Sequence, residues 1–413
     1  MKNRLDRSKF FLGTYILQPY ARTEAHIKDL ADAGIDVVMC MQSDYKALDL
    51  FAKYGVGAIV NDVLPGWWGG DGNRAGQMAS INTWDQYEAG AAKFVDHPAI
   101  VGIDTGDEPS ALDFPYYGRV MDFTEKNFPG QFAYLNLYPN YASVSQNNAT
   151  ETVNQLGTPT YAEHIEKYCE NVGTDYICYD FYMYSASVAG AYENLRIVAD
   201  AARDTGRSMW IVLQVNSNKP DIWITENQIR FQAYTAMAFG TESIIWACWT
   251  AGWWHNQVID ENGEKTEQYE KVKAVNHEIK SFADTYMKYR RTSTHFIGFG
   301  ENHPDLAKLA YAPKESLSTG IFFDVTSPEP IVVGQMVGKN PDDGYALMIA
   351  AADDAQDKDN KSYEVSFRAY DRVVTVYRGN ACRGNTAEVL LPDADGVYHL
   401  PLTSCAGALV TAK

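Results

Sequence analysis

The side chains of this sequence that could do chemistry are carboxylates, amides and aromatic rings at or after the ends of short apolar runs. Carboxylates and amides hydrogen-bond to hydroxyl groups, and the faces of aromatic rings pack against C–H groups. Together they suit a neutral, polyhydroxylated ligand such as a sugar. The candidate site residues are Asp62, Trp67, Trp68, Asp107, Glu108, Asn136, Tyr138, Asp180, Tyr182, Gln214, Trp249, Trp253, Trp254 and His255.

Several other kinds of site are not indicated. A phosphate site in an α/β protein usually has Gly-rich turns at helix N-termini, and no such turn follows these runs. No lysine stands at the end of an apolar run, which argues against Schiff-base chemistry. No spacing of His, Cys and Asp resembles a zinc or iron site, so we expect neither a metal nor an organic cofactor.

The elements that position these residues alternate between two types up to about residue 290. Short apolar, β-rich runs are followed by amphipathic helical stretches, many of which begin with a capping residue and end in Gly or Pro. Runs that are apolar on both faces are typical of parallel strands covered by helices. Eight such units predict an α/β protein with a (β/α)₈ barrel, whose active site lies at the C-terminal ends of the strands. An open doubly wound sheet is the alternative. That fold usually has a Gly-rich turn after its first strand, and none follows the first run here. The runs span residues 10–18, 35–42, 56–62, 99–106, 131–138, 175–184, 208–216 and 243–250.

The pattern changes at about residue 291. Short alternating runs separated by Asp, Asn, Gly and Pro predict a small antiparallel β-sandwich. We therefore divide the chain into a catalytic barrel, residues 1–290, and an accessory domain, residues 291–413. Cys382 and Cys405 lie in the second part and could pair if that region is oxidised.

The overall charge restricts the class of partner. Lys and Arg total 35 against 53 Asp and Glu, a net charge of −18 over 413 residues. We expect no binding to nucleic acid or to an anionic membrane, and no apolar run approaches the roughly 20 residues of a membrane span. The first fifteen residues show no apolar signal-peptide core. The expected location is cytoplasmic, or periplasmic or extracellular if a signal has been removed.

Four segments carry a resemblance to a known group of enzymes. GIDTGDEPSALDF (102–114) resembles the strand-four motif of the clan of (β/α)₈ glycoside hydrolases that includes β-galactosidases and cellulases, where Asn-Glu-Pro supplies the general acid. The chain is more closely similar to galactosidase-like barrel proteins of gut-type bacteria. These combine DEP after strand four with three further segments, which here read NLYPNY (136–141), YDFY (179–182) and IIWACWT (244–250). The resemblance covers about residues 9–290.

This resemblance implies that the protein hydrolyses a glycosidic bond in an oligo- or polysaccharide. Glu108 would protonate the leaving oxygen, and Asp107 would hold a sugar hydroxyl. The clan's strand-seven nucleophile is replaced by Gln214, which cannot form a glycosyl ester, so Asp180 is the expected second carboxylate. Strands four and six should be about 9–10 Å apart at ~4.8 Å per step. That spacing could separate the carboxyl groups by the roughly 6.5–9.5 Å of an inverting enzyme.

The tryptophans are expected to bind the sugar rings. Trp249, at the tip of the eighth strand, resembles the aromatic platform under the reacting sugar in the clan. Two adjacent pairs in Gly-rich loops, Trp67 with Trp68 and Trp253 with Trp254, predict a stacking surface.

Two other functions stay open at this point. The first is a carbohydrate-binding barrel that has lost catalysis, which Gln214 would explain. The second is a barrel isomerase or lyase acting on small sugars or acids. The latter would need a metal or a Lys or His base at the strand ends, and none is evident.

Overall fold

A computed structural model describes the chain over residues 5–68, 74–142, 155–309, 317, 320–353, 360–370, 373–379 and 386–413. Eight parallel strands form the sheet of its first part, and each of the eight predicted runs overlaps one of them. They are β1 Phe11–Tyr15, β2 Val37–Met41, β3 Gly57–Val60, β4 Ile100–Asp107, β5 Phe132–Asn136, β6 Tyr176–Phe181, β7 Ser208–Gln214 and β8 Thr241–Ala247.

The eight strands curl into a barrel. Hydrogen-bonded neighbours follow the order β5-β4-β3-β2-β1-β8-β7-β6. The two outer strands meet where Leu137 bridges to Tyr179, and the Leu137 N–H donates to the Cys178 carbonyl at 2.9 Å. The predicted (β/α)₈ barrel is therefore confirmed.

Helices cover the outside of the barrel and carry the expected start and stop signals. Thr160 and Thr225 form capping boxes with Glu163 and Gln228, satisfying backbone N–H groups at two helix starts. Gly206 ends another helix in the left-handed conformation. The helices are α1 Glu24–Asp32, α2 Tyr45–Tyr54, α3 Met78–Ile81, α4 Trp84–Lys93, α5 Phe114–Asn127, α6 Tyr161–Asn171, α7 Val188–Thr205, α8 Glu226–Ala238 and α9 Glu267–Tyr286. None of the helices in the described ranges has the combination of length and apolarity needed to cross a bilayer.

The half of the barrel interior near the N-terminal ends of the strands is filled with side chains. Tyr176 stacks on Trp210 with ring centroids 4.0 Å apart, and the Arg7 guanidinium lies 5.0 Å from the centre of the Phe132 ring. Arg7 also forms an ion pair with Asp175 at this end. In the described part of the chain these contacts fill the N-terminal end of the barrel, opposite the C-terminal ends of the strands.

Two antiparallel sheets follow the barrel. The six-stranded sheet has the order β15-β14-β17-β12-β11-β9, and the three-stranded sheet has the order β10-β13-β16. Their inner faces share one apolar core that includes Val333 and Ile349 from the larger sheet and Phe367 and Leu400 from the smaller one. The strands are β9 Tyr289–Ile297, β10 Phe322–Thr326, β11 Ile331–Gly338, β12 Tyr345–Ala351, β13 Ser362–Ala369, β14 Val374–Arg378, β15 Thr386–Leu390, β16 Tyr398–Thr403 and β17 Gly407–Ala412.

The larger sheet packs directly on the barrel through α8. At Gly334 a Cβ atom would stand 2.2 Å from the Ala238 carbonyl oxygen, so only glycine permits this approach. The division predicted at residues 290 and 291 falls inside β9, and the assignment of two domains stays a prediction. Cys382 lies outside the described residues, so its pairing with Cys405 also stays a prediction.

Candidate active site

The strand β4 carries two carboxylates to the barrel mouth through an unusual backbone. The Asp107 N–H donates to the Trp67 carbonyl, and the Glu108 N–H donates to the Asn136 carbonyl, each at 2.9 Å. Glu108 has φ +49°, in the left-handed region, which costs a non-glycine residue roughly 1–2 kcal/mol. Such strain persists where the surroundings hold it, and it is concentrated at functional sites. Here it directs the Glu108 side chain into the mouth.

Asn136 at the end of β5 ties together carboxylates from the two neighbouring strands. Its Nδ2 group donates to Asp107 Oδ1 at 3.0 Å and to Asp180 Oδ1 at 2.9 Å. Its side-chain oxygen accepts a long hydrogen bond from the Cys178 thiol, with 3.5 Å between the sulfur and the oxygen. With both Nδ2 protons committed, Asn136 favours the ionised forms of the two aspartates.

Glu108 and Asp180 are hydrogen-bonded to each other. Burial, followed by the nearby charges of Asp180 and Asp107, holds the pKa of Glu108 well above its ordinary value. Burial also raises the pKa of Asp180 to about 7 and that of Asp107 to about 6. Glu108 is therefore the group that keeps its proton, and the aspartates ionise first.

This contact contradicts the spacing expected for an inverting pair. The sequence-based estimate placed the two carboxyl groups far enough apart for a water molecule, whereas here they touch. The reason is that both side chains point inward from a curved sheet and converge over Asn136, so the distance between the backbones overstates the distance between the carboxyl groups.

Aromatic side chains form the walls of the site. The Trp68 indole N–H donates to Glu108 Oε2 at 2.7 Å, and 61% of the Trp68 side chain is exposed at the entrance. Tyr182 lies edge-on to Trp254, with centroids 4.9 Å apart, and 6.2 Å from Trp253. These rings and the carboxylates enclose a cavity of about 630 Å³, lined by Tyr15, Ile16, Trp68, Asp107, Glu108, Asn136, Asp180, Tyr182, Gly252, Trp253 and Trp254.

Three lining residues were not predicted from the sequence, and neither was one further buried carboxyl group on β4. Tyr15 and Ile16 were missed because β1 ends at Tyr15, three residues before the end of the predicted run, and Gly252 has no side chain to signal a role. Asp104 was missed as well: its Oδ2 accepts from the Cys40 thiol at 2.8 Å, and burial raises its pKa to about 7. The inward alternation of β4 could have identified Asp104.

Gln214 does not line the cavity. Its side-chain oxygen accepts from the Tyr184 N–H at 3.2 Å, and its amide nitrogen donates to Ser185 Oγ and to the Asn216 carbonyl, both at 3.0 Å. The side chain is only 1% exposed. Gln214 therefore joins the ends of β6 and β7 and lies outside the cavity, and its role in binding substrate stays a prediction.

Two further predicted binding residues are buried in the outer core. Trp249 is fully buried and packs against Tyr269 of α9, with centroids 6.1 Å apart. Tyr138 is 2% exposed and lies near the His164 ring. The strands β8 and β5 end at Ala247 and Asn136, and the chain then turns outward, so neither ring reaches the cavity. Trp249 is not the platform that the resemblance implied.

Three other predicted residues lie around the barrel mouth but not in this cavity. Asp62 accepts hydrogen bonds from the Ser43 N–H and hydroxyl, at 3.0 and 2.7 Å. Trp67 packs on the outer core with the Arg74 guanidinium 4.9 Å from its ring centre. His255 is exposed and pairs with Ser217 only through backbone hydrogen bonds. Sequence position alone does not distinguish these residues from Trp68 or Trp254.

No metal centre is indicated in the described part of the chain. No three His, Cys, Asp or Glu side chains there are grouped so as to hold an ion. The carboxylates of the cavity bind Asn136, Trp68 and each other instead.

Comparison with known proteins gives matches of fold only. No protein-family model matches the chain, and no curated protein sequence is detectably similar to it. The solved Gan42B, a GH42 β-galactosidase from G. stearothermophilus, matches over 100% of this chain and 99% of its own, with a TM-score of 0.56 and 8% identity. A cycloisomaltooligosaccharide glucanotransferase from Paenibacillus sp. matches over 98% and 85%, with a TM-score of 0.55 and 9% identity.

A third solved structure aligns over a smaller part of its length. The β-galactosidase from the psychrophilic Marinomonas ef1 has a TM-score of 0.47 and 12% identity, and the match covers 67% of this chain and 61% of that enzyme. At their low identities, the two matches with TM-scores above 0.5 establish shared architecture alone. This chain thus has the fold of a (β/α)₈ barrel followed by antiparallel β-sheets.

Proposed function

We propose that this protein is a glycoside hydrolase that cleaves an oligo- or polysaccharide, with Glu108 as its general acid. The observation that carries the proposal is the contact between half-buried Glu108 and buried Asp180 in a cavity with aromatic walls. Hydrolysis of a glycoside needs a carboxylic acid that protonates the leaving oxygen. It also needs a carboxylate that stabilises the positive charge developing on the sugar ring.

The other cavity residues fit a neutral sugar. Trp68, Trp253 and Trp254 offer ring surfaces to C–H groups, and Asp107 and Asn136 offer polar atoms to hydroxyl groups. A volume of about 630 Å³ lies within the usual range of small-ligand sites. A site with this composition favours binding of one end or one short stretch of a glycan.

The fold adds support by analogy. The two solved structures with TM-scores above 0.5 are those of a β-galactosidase and of a glucanotransferase complexed with cycloisomaltoheptaose. A fold shared with carbohydrate-active enzymes raises the expectation of carbohydrate chemistry but does not by itself establish an activity. The residues of the cavity therefore carry the proposal.

Gln214 no longer favours an inactive, sugar-binding protein. Its amide is fully engaged between β6 and β7 and does not face the ligand space. Glu108 and Asp180, the proposed acid and second carboxylate, both line the cavity.

The test is hydrolysis of a panel of 4-nitrophenyl glycosides and of oligosaccharides by the wild type, Glu108→Gln and a matched control. The control is Glu88→Gln, an exposed glutamate on α4. We expect Glu108→Gln to lower kcat by about 10²–10⁴-fold, with the larger loss on oligosaccharides, whose leaving groups need protonation. Glu88→Gln should match the wild type. Sugar binding without turnover, or equal turnover by Glu108→Gln, would refute the proposal.

A further inference from the structure

The carboxylates of the cavity all come from one side of the barrel mouth. Asp107 ends β4, Glu108 follows it, and Asp180 lies on β6. The facing wall is built from β1 and from the chain after β8, and its described residues are Tyr15, Ile16, Gly252, Trp253 and Trp254. None of these has a carboxylate, so the described lining places no anionic nucleophile across the cavity from Glu108.

Asp180 is also badly placed to attack the sugar. A nucleophile and an acid that act on one glycosidic bond hold the anomeric carbon and the leaving oxygen between them, which takes about 5 Å or more. Asp180 instead shares a hydrogen bond with Glu108 and accepts another from Asn136 at 2.9 Å. Neither Asp180 nor the described residues of the facing wall thus offers the attacking group, and the substrate itself can supply it.

We propose that the cavity binds a 2-acetamido-2-deoxy sugar that is linked trans to its acetamido group. This inference rests on the function proposed above. The acetamido carbonyl oxygen of this substrate is the nucleophile. Asp180 accepts the acetamido N–H, and the aromatic wall receives the methyl group.

The positions of Asp180 and Tyr182 fit these two tasks. They are two residues apart at the end of β6, and both line the cavity. The substituent at C2 is one carbon away from the bond that Glu108 protonates. A carboxylate in contact with Glu108 is therefore within reach of the acetamido N–H. The methyl group then points toward the apolar corner formed by Tyr182, Trp253 and Trp254.

The reaction balances with water as the only co-reactant. The acetamido oxygen bonds to the anomeric carbon, the glycosidic C–O bond breaks, and the Glu108 proton passes to the leaving oxygen. The cyclic oxazolinium ion is stabilised by the ionised Asp180 at its N–H. Water then attacks the anomeric carbon and gives a proton to Glu108, while the ring C–O bond breaks and restores the acetamido group. Two displacements give retention of configuration.

The first test compares 4-nitrophenyl β-glycosides of N-acetylglucosamine and N-acetylgalactosamine with those of glucose and galactose. We expect at least one acetamido substrate to react about 100-fold faster or more than its 2-hydroxy counterpart. Its rate should fall with each fluorine added to the acetyl group, because fluorine makes the attacking carbonyl oxygen less nucleophilic. Comparable rates on both substrate types would overturn this inference and leave the proposed function intact. No turnover on the whole glycoside and oligosaccharide panel would overturn the proposed function instead.

A second test separates an orienting from a covalent role of Asp180. In Asp180→Ala, added azide can replace a lost carboxylate nucleophile and yield a glycosyl azide of inverted configuration. We expect no such product, together with retention of configuration in the wild-type reaction followed by NMR. A glycosyl azide from the variant, or an inverted wild-type product, would overturn the inference.

Discussion

Asp180→Asn should stabilise the fold at alkaline pH while removing a functional group. The pKa of Asp180 is about 7 in the folded protein, against an ordinary value of 3.8, because the side chain is buried. Between pH 4 and pH 8 the unfolded chain therefore releases this proton earlier than the folded one, so the free energy of unfolding decreases as pH rises. About three pKa units at 1.36 kcal/mol each set this loss near 4 kcal/mol.

The amide introduced at position 180 does not ionise between pH 4 and pH 8, and it keeps the hydrogen bonds of the carboxyl group. Its oxygen can still accept from Asn136, and its nitrogen can donate to Glu108. Allowing about 1 kcal/mol for the altered hydrogen bond to Glu108 at either pH, we expect a gain of about 3 kcal/mol at pH 8 and a loss of about 1 kcal/mol at pH 4. Urea unfolding at both pH values, followed by tryptophan fluorescence, measures the difference.

The control for this experiment is Asp62→Asn, which removes the same charge from an exposed side chain outside the cavity. It accounts for the general benefit of reducing a net charge of −18. A gain in Asp180→Asn that is equal at both pH values, or no greater than the gain in the control, would refute the linkage argument.

Three further predictions concern activity on whichever glycoside is cleaved. Trp68→Phe removes the donor that lowers the pKa of Glu108, so the alkaline limb of the kcat/KM profile should move up by as much as about one pH unit. Asn136→Ala removes the donor to both aspartates, which raises their pKa and should move the acidic limb up by about one unit. Trp253→Ala should raise KM about 10-fold or more, whereas Trp249→Phe should leave KM within about two-fold and lower the free energy of unfolding by about 1–3 kcal/mol.

Each of these has an outcome that contradicts it. An unchanged alkaline limb in Trp68→Phe would mean that Glu108 is not the titrating acid. An acidic limb that stays in place in Asn136→Ala would exclude the two aspartates as the ionising groups. A larger effect on KM from Trp249→Phe than from Trp253→Ala would indicate that Trp249 contributes to substrate binding.

The strands were predictable because their signal is local. Each barrel strand is buried on both faces, which demands an unbroken apolar run, and each crossover helix leaves an amphipathic pattern with caps such as Thr160 and Thr225. The order of eight such units in turn specifies the barrel.

The ends of the strands were predicted less well, and the assignment of site residues failed there. The run starting at residue 10 continues to residue 18, but β1 ends at Tyr15, so Tyr15 and Ile16 were overlooked. β8 ends at Ala247, and the following turn buries Trp249. A shift of one residue moves a side chain from one face of a strand to the other, and composition does not report where the last hydrogen bond of a strand falls.

The sequence by itself determined the barrel, the face at which the cavity opens, and the residue types available there, because these depend on local pattern and on the strand order. Only the tertiary structure decided which of those side chains meet. Asn136 draws Asp107 and Asp180 together, the left-handed backbone of Glu108 brings its carboxyl group against Asp180, and Gln214 is held aside. Hydrogen bonds and burial determine these contacts and the pKa values of the carboxyl groups. Hydrogen bonding and burial in turn depend on residues that are distant in the chain.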